Sequence, residues 1–273
     1  MSTPADLAIE PRDIAFGREE AHPRWWLGGD PVATTFYNSL SVTFPLGERF
    51  FMDAVRHYKN CAPAPLKAQI TAFVKQEAMH SREHVAFNKQ VTGHGYVIKA
   101  MERRLEWRIN LSRKTPPAMQ LAATAALEHF TAIMAHAVLS DPRHFTGASP
   151  DAAKMWRWHA MEEIEHKAVA FDTYLTAVRA GPIRKWLLRA SVMLLATWLF
   201  TYTITRNVAD FFHQDGINTP RTWGRLFSYL WGSPGLLRGI VGAYFSYYRP
   251  GFHPWQEDDR HLLAPVHAEL AAG

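Results

Sequence analysis

Cysteine is nearly absent from this 273-residue chain, which has one, Cys61. That excludes an internal disulfide framework and a zinc site of four thiolates, and it suits a reducing compartment. The opening "MSTPADLAIEPRDIAF" lacks a basic segment followed by an apolar one, so no secretory signal is expected and the expected location is the cytoplasm. No segment alternates apolar and polar residues between hairpin turns, which argues against sheet. The H-E-x-x-H helix, the G-x-S-x-G elbow, the Walker loop and the G-x-G-x-x-G turn are all missing. Their absence removes the common zinc-protease, serine-hydrolase, nucleotide-phosphate and dinucleotide chemistries. Low-complexity tracts are missing too.

What is present is helical periodicity. Residues 1–30, rich in proline and charge, read as an extended N-terminal arm. From Pro31 to Tyr58 apolar residues recur at helical spacing, with Pro45 expected to kink or interrupt the run. Leu66 to Val91 predicts a second helix, stopped by "TGHG". Tyr96 to Lys114 is amphipathic and heavily charged, an accessory helix packed on the outside. Pro117 to Leu139 starts after "TPP" and predicts a third long helix. A fourth is expected from Ser149, as its cap, to about Gly181. The expectation for residues 31–181 is thus an all-α four-helix bundle.

Each long helix carries a carboxylate in an apolar setting. The first has Glu48 in "FPLGERFF"; the second has Glu77 and His80 in "FVKQEAMHSREH". The third has Glu128 in "AALEHFTA"; the fourth has Glu163 and His166 in "WHAMEEIEHK". Residues three or four apart share a helix face, so each Glu-x-x-His pair can hold one metal ion. Six carboxylate and imidazole ligands suit two iron or manganese ions; zinc is a further candidate. Burying four glutamates without such compensation would be costly. His84 and His159 fall on the same faces, as extra ligands or as hydrogen-bonding groups behind the ligands. Glu162, and more weakly Gln76, are placed to accept an N–H from a ligating histidine of another helix. Glu83 and Glu165 fall off the ligand face, as solvated or paired charges; His129 and His136 are not expected to be ligands. A third Glu-x-x-His, Glu19 and His22, sits in the arm, and "DPRH", "DFFH" and "DDRH" repeat the spacing with aspartate. These copies lack the apolar helical context.

The order Glu, Glu-x-x-His, Glu, Glu-x-x-His resembles that of the ferritin-like dimetal-carboxylate superfamily over about residues 31–181. More closely, "FPLGERFF", "QEAMHSREH", "LEHFTA", "WHAMEEIEHKAVAFD" and "YYRPGFHPW" together resemble a bacterial family of predicted metal-dependent hydrolases.

Residues 182–250 differ in kind. They hold 8 Lys/Arg against 2 Asp, and 14 of the 35 aromatic residues. Between Arg189 and Arg206 lie 16 uncharged residues, fewer than the about 20 a simple membrane span needs. Residues 182–255 are expected to form apolar, basic helices that either dip into an anionic membrane surface or pack on the bundle. Residues 256–273 read as a polar tail.

Three functions follow as expectations, the first being the main one and hydrolysis its first alternative. The ligand set suggests an oxygen-activating di-iron oxidoreductase acting on a small apolar substrate, with O2 and an external electron donor as partners. The family resemblance implies hydrolysis by a metal-activated water. An iron-binding bundle without catalysis is the third alternative. Nucleic acid is not an expected partner; a membrane surface and a second copy of the chain, as a homodimer, are.

Overall fold

The computed structural model describes residues 3–4, 7–17 and 21–272. Among these, regular structure is helical, apart from one isolated bridge between Leu27 and Ala148.

The run from Pro31 divides into α1 (Pro31–Ser41) and α2 (Phe44–Arg56). Pro45 is the cause: it has no N–H to give the carbonyl of Ser41. That carbonyl instead accepts from Asn88 Nδ2 at 3.1 Å. Asn88 belongs to α3 (Ala64–Gly93), so the break is stitched to the next helix. In α3 the residues at 66, 70, 73, 77, 80, 84, 87 and 91 are all buried. This is one continuous seam at three- and four-residue steps, and Glu77, His80 and His84 occupy its middle.

The charged α4 (Lys99–Ser112) lies outside, tied to α8 by the Arg104–Asp210 ion pair. α5 (Pro117–Ser140) is alanine-rich and largely buried, which lets neighbouring helices approach closely.

The fourth helix differs from expectation in three ways. Ser149 stands at its N-cap position, but the Ser149 hydroxyl accepts no capping bond and Pro150 opens the helix. The helix breaks after His166, giving α6 (Pro150–His166) and α7 (Val169–Ala177). The second piece ends short of Gly181. At the break, buried Lys167 donates to the carbonyl of Glu257 and to Asp259, each at 2.8 Å, and lies 4.1 Å above the Trp255 ring. A side chain anchored in that way points out of the bundle at the turn where the helix bends.

α2, α3, α5 and α6–α7 form a four-helix bundle. α8 (Pro182–Gln214) runs along α1 and α5, with Met193, Phe211 and Phe212 buried. α5 and α8 are both long and apolar enough to cross a membrane by length and composition. α5, however, is the bundle's interior, and α8 buries Arg189, which donates to the carbonyls of Tyr247 and Arg249. Two shorter helices follow, α9 (Pro220–Phe227) and α10 (Leu236–Ser246), the latter also against α5.

Both ends of the chain are more engaged than expected. Among its described residues the arm has no helix, but it buries Phe16, His22, Trp26 and Leu27. The stretch 256–273 is no free tail: it forms α11 (Leu263–Ala271), which packs on α6 through Leu263 and Val266.

Candidate metal centre

The bundle brings Glu48, Glu77, His80, Glu128, Glu163 and His166 together from four helices. None is more than 4% exposed. His166 Nε2 lies 3.2 Å from Glu77 Oε1, 3.4 Å from Glu128 Oε2 and 3.5 Å from Glu163 Oε2. His80 Nδ1 lies 4.0 Å from Glu77 Oε2 and 3.9 Å from Glu163 Oε1. Glu77 and Glu163 therefore each turn one oxygen toward each histidine. Donor atoms of Glu48, Glu77 and His80 lie within 4.8 Å of one another, as do those of Glu77, Glu163 and His166.

The outward-facing atoms of these side chains are partnered. His80 Nε2 meets Glu162 Oε2 at 3.1 Å, and His166 Nδ1 meets Gln76 Oε1 at 3.0 Å. The Ser81 hydroxyl donates to Glu48 Oε2 at 2.7 Å. The inward-facing atoms are not. Glu48 Oε1, both oxygens of Glu77 and of Glu128, Glu163 Oε2, His80 Nδ1 and His166 Nε2 are buried without a hydrogen bond. A buried polar atom without a partner is expensive. Eight such atoms facing one another fit a cation, and six carboxylate oxygens with two imidazole nitrogens suit two divalent ions.

Electrostatics agree. Burial, then the neighbouring charge of Glu77, holds Glu48 well above the usual carboxylate range. Burial does the same to Glu77 and Glu128. Burial alone would raise Glu163, but His166 and His159 outweigh it and hold it low. Burial likewise opposes the charge on His166, yet Glu163 and Glu128 carry it up to about 9. His80 and His84 are pushed well below their usual range by burial and by His159. These are the perturbations that clustered carboxylates and imidazoles produce on one another.

His84 and His159 extend the cluster in a line. His84 Nδ1 meets the Ser41 hydroxyl at 2.9 Å, and His84 Nε2 meets His159 Nδ1 at 2.7 Å. His159 Nε2 reaches Glu163 Oε1 at 2.8 Å. Ser41 Oγ donates in turn to Asn88 Oδ1 at 2.8 Å. Both ring nitrogens of His84 are thus engaged before any ligand is considered.

Several participants were not legible in the sequence. Arg12 of the arm donates to Glu162 at 3.1 Å and to Glu165 at 2.7 and 3.0 Å. Glu165, which also accepts from Gln76 Nε2 at 2.8 Å, is a buried paired charge. Glu83 is buried as well, accepting from Arg82 and from the backbone N–H of Phe16. His129 points away from the centre, to the carbonyl of Ala243. His136 stands with Glu257 and Asp259, where Lys167 already supplies a cation. Of the decoy motifs, Glu19 lies outside the described residues. The aspartates of the other three are each taken by an arginine: Asp141 by Arg143, Asp210 by Arg104 and Asp258 by Arg260.

Comparison with known proteins gives one result. The family model described as "Predicted metal-dependent hydrolase" matches residues 10–258. No curated protein and no solved structure matches the chain. The match takes in all four bundle helices, the arm from Glu10 and the packed helices α8 to α10. The chain belongs to the family of predicted metal-dependent hydrolases.

Proposed function

We propose that the buried centre holds two divalent metal ions and hydrolyses an ester, amide or phosphate bond. Glu48, Glu77 and His80 would hold one ion; Glu128, Glu163 and His166 would hold the other. Glu77 and Glu163 face both groups and would be shared. The observation that carries this reading is the inward set of eight unpartnered buried atoms. The same six ligands suited an oxygen-activating di-iron centre, but the family match favours hydrolysis over oxidation.

Bound divalent ions lower the pKa of water and polarise the bond to be attacked. The chain's own residues do the rest. Glu162 and Gln76 hold the rings of His80 and His166 in place. His159, hydrogen-bonded to both Glu163 and His84, is placed to take up a proton from the centre, with His84 held behind it by the Ser41 hydroxyl. We assign His84 and His159 to that line rather than to the ligand set. The Phe44 ring, 4.9 Å from His159 and 4.6 Å from His84, keeps water off them.

The test is metal content with activity. Reloaded protein should carry about two ions per chain, and Glu163→Ala about one or none. Hydrolysis of an ester or phosphodiester panel should return with metal and proceed without oxygen. Unchanged metal content in Glu163→Ala sinks the site; oxygen consumption without hydrolysis sinks the reaction.

We also propose that α8 rests on an anionic membrane surface. Ile183, Leu194 and Trp198 are 71%, 61% and 64% exposed along one side of it. Arg184 and Lys185 flank them, within a region of 8 basic and 2 acidic residues. That combination suits interfacial binding.

A further inference from the structure

Between α2, α4, α5 and α8 lies a cavity of about 180 Å³. Its walls are mostly apolar, among them Phe51, Ile109, Ala123, Leu127 and Ala196. Its inner wall includes Gly47, next to Glu48, and Leu127, next to Glu128. Phe44 and Thr131 also line it. Those two residues are shared with a second cavity of about 40 Å³, which His159 and Glu163 line directly. Phe44 and Thr131 therefore line both spaces, the second of which touches the centre.

The other end is open to solvent. Leu195 lines the cavity and is 50% exposed, beside exposed Leu194 and Trp198 of α8. Arg108 also lines it, hydrogen-bonded to the Thr203 hydroxyl and lying 4.5 Å above the Tyr202 ring. The cavity thus runs from the apolar side of α8 to Phe44 and Thr131, and on their far side lies the small space that His159 and Glu163 line.

We propose that this cavity is the acyl-chain site of the hydrolase, and that the substrate is an ester of a medium-chain acid. The proposal rests on the hydrolytic reading of the centre. A dry cavity of about 150 Å³ takes the six carbons of benzene, so this one takes a chain of about six to eight carbons. With the chain lying in the cavity, the ester carbonyl reaches the Phe44–Thr131 end. There the oxygen of a water bonds to the acyl carbon and the bond to the alcohol oxygen breaks. One proton of the water leaves on the alcohol, which when small fits the second cavity of about 40 Å³; the other is taken up by His159. The carboxylate product withdraws along the cavity.

The experiment uses methyl esters of graded chain length, from acetate to laurate, with metal-loaded full-length protein, and titrates the acid released. The expected kcat/KM rises by about fourfold per methylene, then levels off near seven carbons. Ala123→Phe, which adds a ring to the cavity wall, moves the optimum to about four carbons or fewer with metal content unchanged. Leu199→Trp, at a half-buried lining position, is the second variant and should shorten the optimum too. A flat chain-length profile, or one unmoved by both variants, overturns the proposal. Calorimetry with octan-1-ol separates the two readings. If no ester is cleaved but octanol binds to wild type and to Glu163→Ala and not to Ala123→Phe, the chain site stands and hydrolysis falls. If octanol does not bind, the chain site falls whatever the centre does.

Discussion

Replacing Arg12 by alanine tests whether the N-terminal arm supports the metal centre. Arg12 is the cation that faces Glu162 and Glu165, whose side chains are 0% and 2% exposed. Burial already lifts Glu162 to about 7, with Arg12 as the main opposing influence. Removing one partner of a buried ion pair costs about 3–5 kcal/mol. Gln76 still donates to Glu165, and Glu162 escapes part of the penalty by taking a proton, so the lower end applies, about 3 kcal/mol. For a chain of this size that lowers the midpoint of thermal unfolding by about 5–10 °C. A protonated Glu162 is a poorer acceptor for His80 Nε2–H, so metal affinity should fall about 10–100-fold. The loss should be larger at pH 8 than at pH 6, because at pH 6 Glu162 is protonated with little extra cost. Arg12→Lys keeps the charge but not the two-pronged geometry and should fall between. Thermal unfolding and competition with a chelator at both pH values measure the two effects. A variant with an unchanged midpoint and unchanged metal affinity would refute the reasoning.

Other outcomes follow from the same physics. Metal-stripped protein should lose stability as pH rises from 7 to 9, where His166, carried up to about 9, holds a proton that the unfolded chain has released; the elevated Glu48, Glu77 and Glu128 act in the same direction as pH rises above the usual carboxylate range. His80 and His84 are neutral in both states over that range, so they do not offset it. Metal-loaded protein should show little of this slope, and metal binding should release protons, read by calorimetry in buffers of different ionisation heat. Lys167→Met leaves buried Asp259 with His136 alone and should destabilise by about 3 kcal/mol, seen in urea unfolding; a shift below about 1 kcal/mol would contradict the pairing. Vesicles containing anionic lipid should float the wild type, and Trp198→Asp with Leu194→Asp should stay behind; equal flotation on neutral vesicles would remove the charge component of the membrane proposal.

The helices were legible because their signals are local. Proline at Pro45, Pro117 and Pro150 marks breaks or starts, and the seam of α3 recurs at three and four residues. The break after His166 was not legible, because "EHKAVAFD" has no helix breaker. At the break Lys167 is held by Asp259, 92 residues away, a contact no local signal announces. The four-helix coincidence of Glu48, Glu77, Glu128 and Glu163 could be inferred from order and apolar context. The role of His84 and His159 could not: face geometry allows a ligand or a hydrogen-bonding group, and the line from Ser41 to Glu163, which supports the second, runs between helices remote in sequence.

By itself, then, the sequence determined an all-helical chain with two Glu-x-x-His faces and two solitary glutamates in apolar surroundings. Periodicity and the cost of burying charge act along a single helix, so they can be read from one segment at a time. Tertiary structure decided what no segment contains: which atoms of those side chains lack partners, that Arg12 backs the centre from the arm, and that an apolar cavity leads from α8 to Phe44. Each of these depends on distances between elements remote in sequence, and only packing sets those distances.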